Sequence, residues 1–486
     1  MNNSNTNSSS LNYGRQRILL EYDEVTSENV IEVLNKALEI HEENKSDCEY
    51  LIDYYLGEQD ILNRTASQIS SINNQVVVNF AYPITREIVG YTLGKPIELA
   101  PINMDYAEDV ENLNKYYNYE EQYVVDTTAA TYASVCGVGY YITLPSTDIS
   151  KDNTPEIPVV SAGLDPRYTF VVQSTNITNP QIMSCTYVEL TDYTVYTCYT
   201  NTNKFVIIDG ETIESVESNP IGYDPITMLE NSVFLTGDWE QAISVMNASN
   251  LIASDSLNDI EGTIRALLVI TGAEFEEGDT ETLATIKQNR LLTLSSPNGG
   301  NVDAKFIAPA IESTSLQNIR QYLDDARNII TGIPDRDSSS NGGDTGTAVL
   351  NRNGWNDIEI VVKLKELFIK KAKNRQLQVA IEILKRLGLV SDSLLTMDVN
   401  VNIDRHNMDG LSARASAFST LVATGELATI DCLELAGLTN RPVEMVERGK
   451  QQKEENTQNL VNTEQQTNDS IAIVEEDKNV TENVTE

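Results

Sequence analysis

From Ser27 the chain spaces Ile31, Leu34 and Leu38 three and four residues apart, the period that gathers side chains on one helix face, and Ser27 supplies an oxygen suited to capping the first turn. A second helix is expected through Cys48, Leu51, Ile52 and Tyr55, ended by Gly57. Gln75 to Phe80 is a β-branched, apolar run, and Pro83 introduces a further apolar stretch that ends at Gly90. Between Gly137 and Asp224 the texture changes. Short runs rich in valine, threonine and tyrosine (Tyr140–Leu144, Thr169–Gln173, Tyr187–Leu190, Lys204–Ile208) are separated by Pro, Gly, Asn and Asp, which predicts a β-rich region.

Helical patterning returns from Asp238 to about Thr271, roughly 50 Å of helix if unbroken. Its middle (Asn247, Ser249, Asn250, Ser254, Asp255, Asn258, Asp259) is too polar for the inside of a single globular core, and Ile260, Ile264, Leu267 and Leu268 then restore an apolar stripe. A long helix with so thin a stripe is expected to pack against copies of itself or to span between domains. Ala273 to Pro309 reads as a small mixed module with an acidic loop, a short helix around Leu283 and Ile286, a strand Arg290–Leu294 and a turn at Asn298-Gly299-Gly300. Leu316, Ile319, Leu323, Ala326 and Ile330 make a helical seam, which Gly332 and Pro334 end. Asp335 to Gly343 is almost wholly polar and rich in Gly and Ser. The longest helix signal follows Trp355, through Leu364, Leu367, Phe368, Leu377, Ile381, Leu384 and Leu387 to Gly388. Val399, Val401 and Ile403 alternate with polar residues as in a strand, and two or three small helices fill Asp409 to Lys450.

The 486 residues suggest about three domain-sized units, and a hydrophobic fraction of 40% is enough for folded cores. Met1 to Ser10 is nearly all Asn, Ser and Thr; without the basic and apolar regions of a signal peptide it reads as a floppy arm. No stretch approaches the ~20 consecutive apolar residues of a membrane span, so the expectation is a soluble protein made in a cytoplasm. Gln451 to Glu486 is acidic, rich in Gln and Asn and free of aromatics, the composition of a disordered tail. Five scattered cysteines with no CxxC read as buried reduced thiols. Net charge is −39, from 34 basic and 73 acidic residues, so the chain repels a DNA backbone rather than gripping it.

Little in the sequence points to catalysis. His41 and His406 belong to no HExxH and lie near no cysteine, which makes surface or satisfied histidines of both. Gly137-Val138-Gly139 is followed by the strand Tyr140-Tyr141-Ile142 and lacks the third glycine of a dinucleotide loop. The segment Asn341 to Thr347 is Gly-rich but has no lysine to meet phosphates and an aspartate to repel them. Carboxylates are abundant, and none is singled out as an acid/base pair.

Several segments, in order along most of the chain, resemble the portal proteins of Siphovirus-type phages with an SPP1-like portal. They are Tyr54-Tyr55-x-Gly57 followed by Ile61-Leu62 and Arg64; Val78-Asn79-Phe80-Ala81 with Gly90-Tyr91-x-x-Gly94-Lys95-Pro96-Ile97; and Ile330 to Asp335 with Gly346-Thr347-Ala348 before a long charged helix. Where that family usually shows Ser-Gly-x-Ala, Thr345 stands at the serine position and the preceding loop carries extra glycines.

The resemblance implies an α+β portal fold in a ring, usually of twelve subunits, at one capsid vertex, with a structural rather than enzymatic role and no cofactor or metal. It divides the chain into a disordered arm (1–16), an α/β wing (17–237), a stem helix (238–272), a small α/β clip (273–309), a second stem helix (310–332), a tunnel loop (333–354), a long wing helix with a return strand (355–404), a helical crown (405–450) and the acidic tail (451–486). The stem helices would line the channel for DNA packaging and ejection, and Leu316, Ile319, Leu323 and Ile330 would pack the ring. Ser338, Ser339, Asn341, Asp344, Thr345 and Arg352 would face passing double-stranded DNA without reading its sequence. Glu274, Glu276, Glu277, Asp279 and Glu281 would form the clip's docking edge for the terminase motor and a head-completion adaptor, with major capsid and scaffolding proteins as further partners. The expected place is the virion, after assembly in the host bacterial cytoplasm. High negative charge suits a wall past which DNA slides. The Lys-rich helix (Lys363, Lys365, Lys370, Lys371, Lys373, Arg375) is the exception, read either as a solvated face pairing with acidic neighbours or as a patch meeting DNA or an acidic partner. The alternatives are a carboxylate-based hydrolase and an adaptor that forms no ring.

Overall fold

The structure is a computed structural model that describes residues 13–65, 72–146, 157–264, 267–271, 303–307, 313–334, 355–403, 411–439, 445–454 and 456–457. It is a mixed α+β fold in two compact units. One comprises Met1–Gly90, Val125–Ile142 and Ser161–Ala372, the other Tyr91–Val124, Thr143–Val160 and Lys373–Glu486.

The first unit is organised around α1 (Val30–Leu56). This is one continuous helix, not the two expected, because nothing between Leu38 and Cys48 is a Gly or Pro that would break it. Asn29, rather than Ser27, precedes the first helical residue, and the helix ends as expected at Gly57, which takes the left-handed conformation at φ 103°. The N-terminal half of α1 lays Val30, Val33, Leu34 and Ala37 on a six-stranded sheet. That sheet runs in the order β1 (Ile18–Leu20), β5 (Thr169–Ser174), β6 (Gln181–Glu189), β7 (Thr194–Tyr199), β8 (Asn203–Ile208), β9 (Thr212–Ser218). β1 is parallel to β5 and the rest form an antiparallel meander. Phe170, Met183, Cys185, Cys198, Phe205 and Ile207 supply the inward face, at alternate positions along β6 and β8.

The C-terminal half of α1 joins a second core. Leu51 and Tyr54 meet Ile84 and Ile88 of α2 (Ala81–Thr92), Val135 and Cys136 of α4 (Glu120–Cys136), and Trp239, Ala242 and Met246. Trp239 stacks on Tyr54 with ring centroids 5.5 Å apart, and its Nε1 donates to Thr85 Oγ1 at 2.9 Å. A three-stranded sheet, β10 (Ile226–Glu230), β3 (Val138–Pro145), β4 (Val159–Leu164), lies beside α4. A Cβ at Gly139 would sit 2.2 Å from Ala129 O, and one at Gly137, at φ +82°, only 1.8 Å from Leu235 O. These glycines serve close backbone packing, which is why Gly137-Val138-Gly139 mimics a nucleotide loop without opening a helix.

The second half of this unit holds α5 (Ile243–Ile264), α6 (Ser313–Thr331) and the first part of α7 (Trp355–Arg386). The helix expected over Asp238–Thr271 is shorter at both ends. A 3-10 turn, Glu240–Ala242, precedes α5, and Leu267–Thr271 forms strand β11, paired antiparallel with β12 (Asp303–Ile307). Leu-Leu-Val-Ile-Thr is β-prone, and three- and four-residue spacing cannot separate a short apolar strand from a helix turn.

The second unit contains the pair β2 (Glu98–Pro101) and β13 (Val399–Asn402), in which Leu99 faces Val401. α3 (Ala107–Tyr116) is tied to its neighbours by amides: Asn114 Nδ2 donates to Leu99 O at 3.0 Å and Asn112 Nδ2 to Leu389 O at 3.0 Å. Lys373 is buried there with its ammonium 5.0 Å from the Tyr117 ring centroid. α8 (Leu411–Thr424), α9 (Thr429–Leu435) and a helical stretch over 445–454 follow, so the first residues assigned to the acidic tail, Gln451 to Glu454, continue a helix.

Candidate functional site

The polar middle of α5 has a partner within its own chain. Residues 72–80 run extended along it without belonging to any sheet. Asn74 N donates to Asn258 Oδ1 at 2.7 Å, Val76 N to Ser254 Oγ at 2.9 Å and Val78 N to Asn250 Oδ1 at 2.7 Å. Four helical residues rise about 6 Å and two extended residues advance about 6.6 Å, so alternate amides of the strap meet every fourth side chain of the helix. Around this ladder Tyr54 OH donates to Asn247 Oδ1 at 2.9 Å, Arg64 pairs with Asp255 at 2.6 Å, and Asn250 Nδ2 bonds Gln59 Oε1. Asn250 and Ser254 are fully buried. The expectation that this polarity has no place in a single chain's core is therefore corrected, and the apolar run Gln75 to Phe80 forms a strap that belongs to no sheet. Replacing Asn250 with Ala orphans the Val78 amide and Gln59 Oε1, so the chain should lose about 2–3 kcal/mol of stability in urea unfolding. Asp259→Ala, on the exposed side of α5, should change it by no more than about 0.5 kcal/mol.

α6 runs antiparallel to α5. Arg320 Nη2 donates to Ser256 Oγ at 3.0 Å, and the Arg327 guanidinium sits 3.7 Å from the Phe80 ring centroid. No side chain of α6 between Thr314 and Ile330 is buried. Of the seam residues, Leu316 and Leu323 are half-buried, whereas Ile319 and Ile330 are exposed. Tyr322 and Ile329, which the seam did not include, are 70% and 82% exposed, and Leu251, Leu257 and Ile260 of α5 are also exposed. Exposed apolar side chains thus lie on both of these paired helices. The clip residues Glu274, Glu276, Glu277, Asp279 and Glu281, the loop residues Ser338, Ser339, Asn341, Asp344, Thr345 and Arg352, and His406 lie outside the described residues.

A second feature escaped the sequence reading. Three carboxylates, at the end of β10 and just before α5, collect cations from distant parts of the chain. Glu240 accepts from Arg15 Nη2, Gly14 N and Gly237 N, each at 2.7 Å. Asp238 accepts from Lys365 Nζ and Ser134 Oγ, both at 2.6 Å. Glu230 takes Arg17 at 2.6 Å and Lys371 at 2.9 Å. Burial opposes ionisation of Glu230, but hydrogen bonds and charge from Arg17 and Lys371 outweigh it and hold its pKa below the usual carboxylate range. At Glu240 burial wins and the pKa rises, although Arg15 and the two amides pull it down. Gly14 and Arg15, which the sequence reading placed in a disordered arm (1–16), are thus held by hydrogen bonds. Lys363 and Lys370 pair with Glu359 and Glu366 one turn away on α7. Of the two readings of the Lys-rich helix, pairing with acidic neighbours is the one these contacts support.

His41 is buried, with Nε2 3.1 Å from Arg167 O and its ring 4.6 Å from that of Phe170. Burial pushes its pKa down to about 4, the state of a satisfied, neutral core histidine. Among the described residues no group of three or more His, Cys, Asp or Glu side chains is arranged to hold a metal ion, and no helix is long and apolar enough to cross a membrane.

The chain belongs to the phage portal proteins of the SPP1 Gp6-like family, whose sequence model matches residues 34–459. It is a structural protein of the phage head–tail connection. No curated protein matches it. Among solved structures it is similar to a chain of the "Neck of native GTA particle computed with C12 symmetry", at 12% identity and a TM-score of 0.44, covering 73% of this chain and 89% of that one.

Proposed function

We propose that this chain assembles into a closed homo-oligomeric ring, of twelve subunits, at one vertex of the capsid, and that double-stranded DNA passes through the ring during packaging and ejection. α5 and α6 are the stem helices in this reading, and residues 17–237 with α7 and its return strand are the wing. The observation that carries it is the pairing of β11 with β12. Thr271 lies opposite Asp303, so the segment 272–302 leaves and re-enters the fold at one point beside the stem pair, as a projecting clip must. The clip's acidic edge, Glu274 to Glu281, then docks the terminase motor and later a head-completion adaptor by salt-sensitive contacts. Capsid and scaffolding proteins hold the outer wing during assembly in the host cytoplasm, and the crown (405–450) faces the head interior.

The loop 335–354 is the element that touches DNA. It offers Arg352 to phosphates while Asp337 and Asp344 keep contacts brief. Net charge of −39 and the engagement of the α7 lysines within the chain both favour sliding over gripping. Deleting Ser338–Gly343 should leave rings intact by size-exclusion chromatography and reduce the DNA retained in particles by ten-fold or more. Particles that fill and hold their genomes normally would reduce the loop to a linker and remove it from the channel.

A further inference from the structure

We propose that Cys185 and Cys198 are a modification site, a dithiol that a peroxide oxidises to a disulfide stapling β6 to β7. The two residues face each other in the antiparallel ladder, on the inward face of the six-stranded sheet. Their backbone hydrogen bonds point away from each other. Leu190 N donates to Tyr193 O across the β6–β7 turn, so even-numbered residues of β6 bond β7, while Tyr187 N bonds Tyr168 O on the β5 side. Asp209 N bonds Thr194 O on the β8 side, which sets the even-numbered residues of β7 toward β8. Cys185 and Cys198 are therefore a non-hydrogen-bonded pair, the narrow site where Cα atoms approach to about 4.5 Å. That spacing lies within the roughly 4.4–6.8 Å range in which a disulfide closes.

The neighbours along the same row are Phe170, opposite Cys185, and Phe205, opposite Cys198. The thiols are thus enclosed by rings and each other, with no charged side chain in the row. Burial raises the pKa of Cys185, which keeps the pair unreactive while the sheet is closed. Oxidation is gated by opening of the meander, and a small neutral oxidant is the class that fits the space. The chemistry balances with hydrogen peroxide. One thiolate attacks a peroxide oxygen, the O–O bond breaks, and the departing hydroxide takes a proton to leave as water. The resulting sulfenic sulfur is attacked by the second thiol, the S–O bond breaks and a second water leaves. Two thiols have been oxidised by two electrons and one peroxide reduced to two waters. A reducing cytoplasm keeps the pair as thiols, and an oxidising medium converts it.

The test uses the full chain in its assembled form. It is exposed to hydrogen peroxide, quenched with catalase, unfolded in iodoacetamide and digested without reductant. Mass spectrometry should find a peptide linking Cys185 to Cys198, and the oxidised protein should melt roughly 5 °C higher than the reduced one. Reduction should reverse both changes, and Cys198→Val should abolish the peroxide-dependent shift. If both cysteines emerge alkylated, if each is over-oxidised without a link, or if the linked peptide joins Cys48 to Cys136 instead, the assignment is wrong. A shift that persists in Cys198→Val overturns it equally.

Discussion

Replacing Tyr322 and Ile329 together with Asp should convert assembled particles into monomers while leaving the monomer folded. Both side chains lie on α6, 70% and 82% exposed in the single chain, so they contribute little to its own core. Substitution there should cost within about 0.5 kcal/mol of monomer stability. At an interface between copies the same substitution buries unpaired carboxylates, and the penalty is several kcal/mol per ion. Each subunit contact should weaken by about 100-fold or more, and because the defect repeats at every contact, no closed ring should survive at micromolar protein. Light scattering and far-ultraviolet circular dichroism on the same sample check the two halves of this expectation. Unchanged mass with unchanged helicity would show that α6 does not form the interface.

Glu240→Gln should be the most damaging single change within one subunit. Glu240 and the side chain of Arg15 are almost wholly buried, and the carboxylate holds the guanidinium and the amides of Gly14 and Gly237 together. Glutamine keeps the shape and removes the charge, which leaves Arg15 with its principal anion gone. Breaking a buried pair in this way costs about 3–5 kcal/mol, which should appear as a fall of about 10 °C in melting temperature. Lys371→Met is the matched comparison. Its side chain is 69% exposed and Glu230 retains Arg17, so the loss should stay under about 1 kcal/mol. Equal losses in the two variants, read by urea unfolding, would mean that Glu240 is no more than an ordinary surface partner.

How far the sequence carried these conclusions differed from element to element. The β-rich region was legible because Val, Thr and Tyr cluster in short runs separated by turn residues, and such composition is a local signal. The ends of α1 and α7 were legible at Gly57 and Gly388 for the same reason: a left-handed glycine acts on its own turn. The two-helix reading of α1 failed because a polar stretch resembles a break when the burial of its two faces is unknown. The polar face of α5 was not explained by helical periodicity alone. Its partner amides lie about 180 residues earlier, and backbone donors leave no mark in side-chain type. The carboxylate hub was hidden similarly, since Arg15 and Glu240 are 225 residues apart. The match between Asn250, Ser254 and Asn258 at four-residue spacing and an extended run rich in Val was available, and is a signal worth seeking beside other long polar helices.

The central claim, that this portal-family chain closes into a ring, is tested most directly by native mass spectrometry of the purified protein with negative-stain images of the same sample. Twelve copies of a 53.9 kDa chain should give a single particle of about 650 kDa that appears as a ring with a central hole. A monomer or dimer at every concentration, or open arcs of varied mass, would contradict the account.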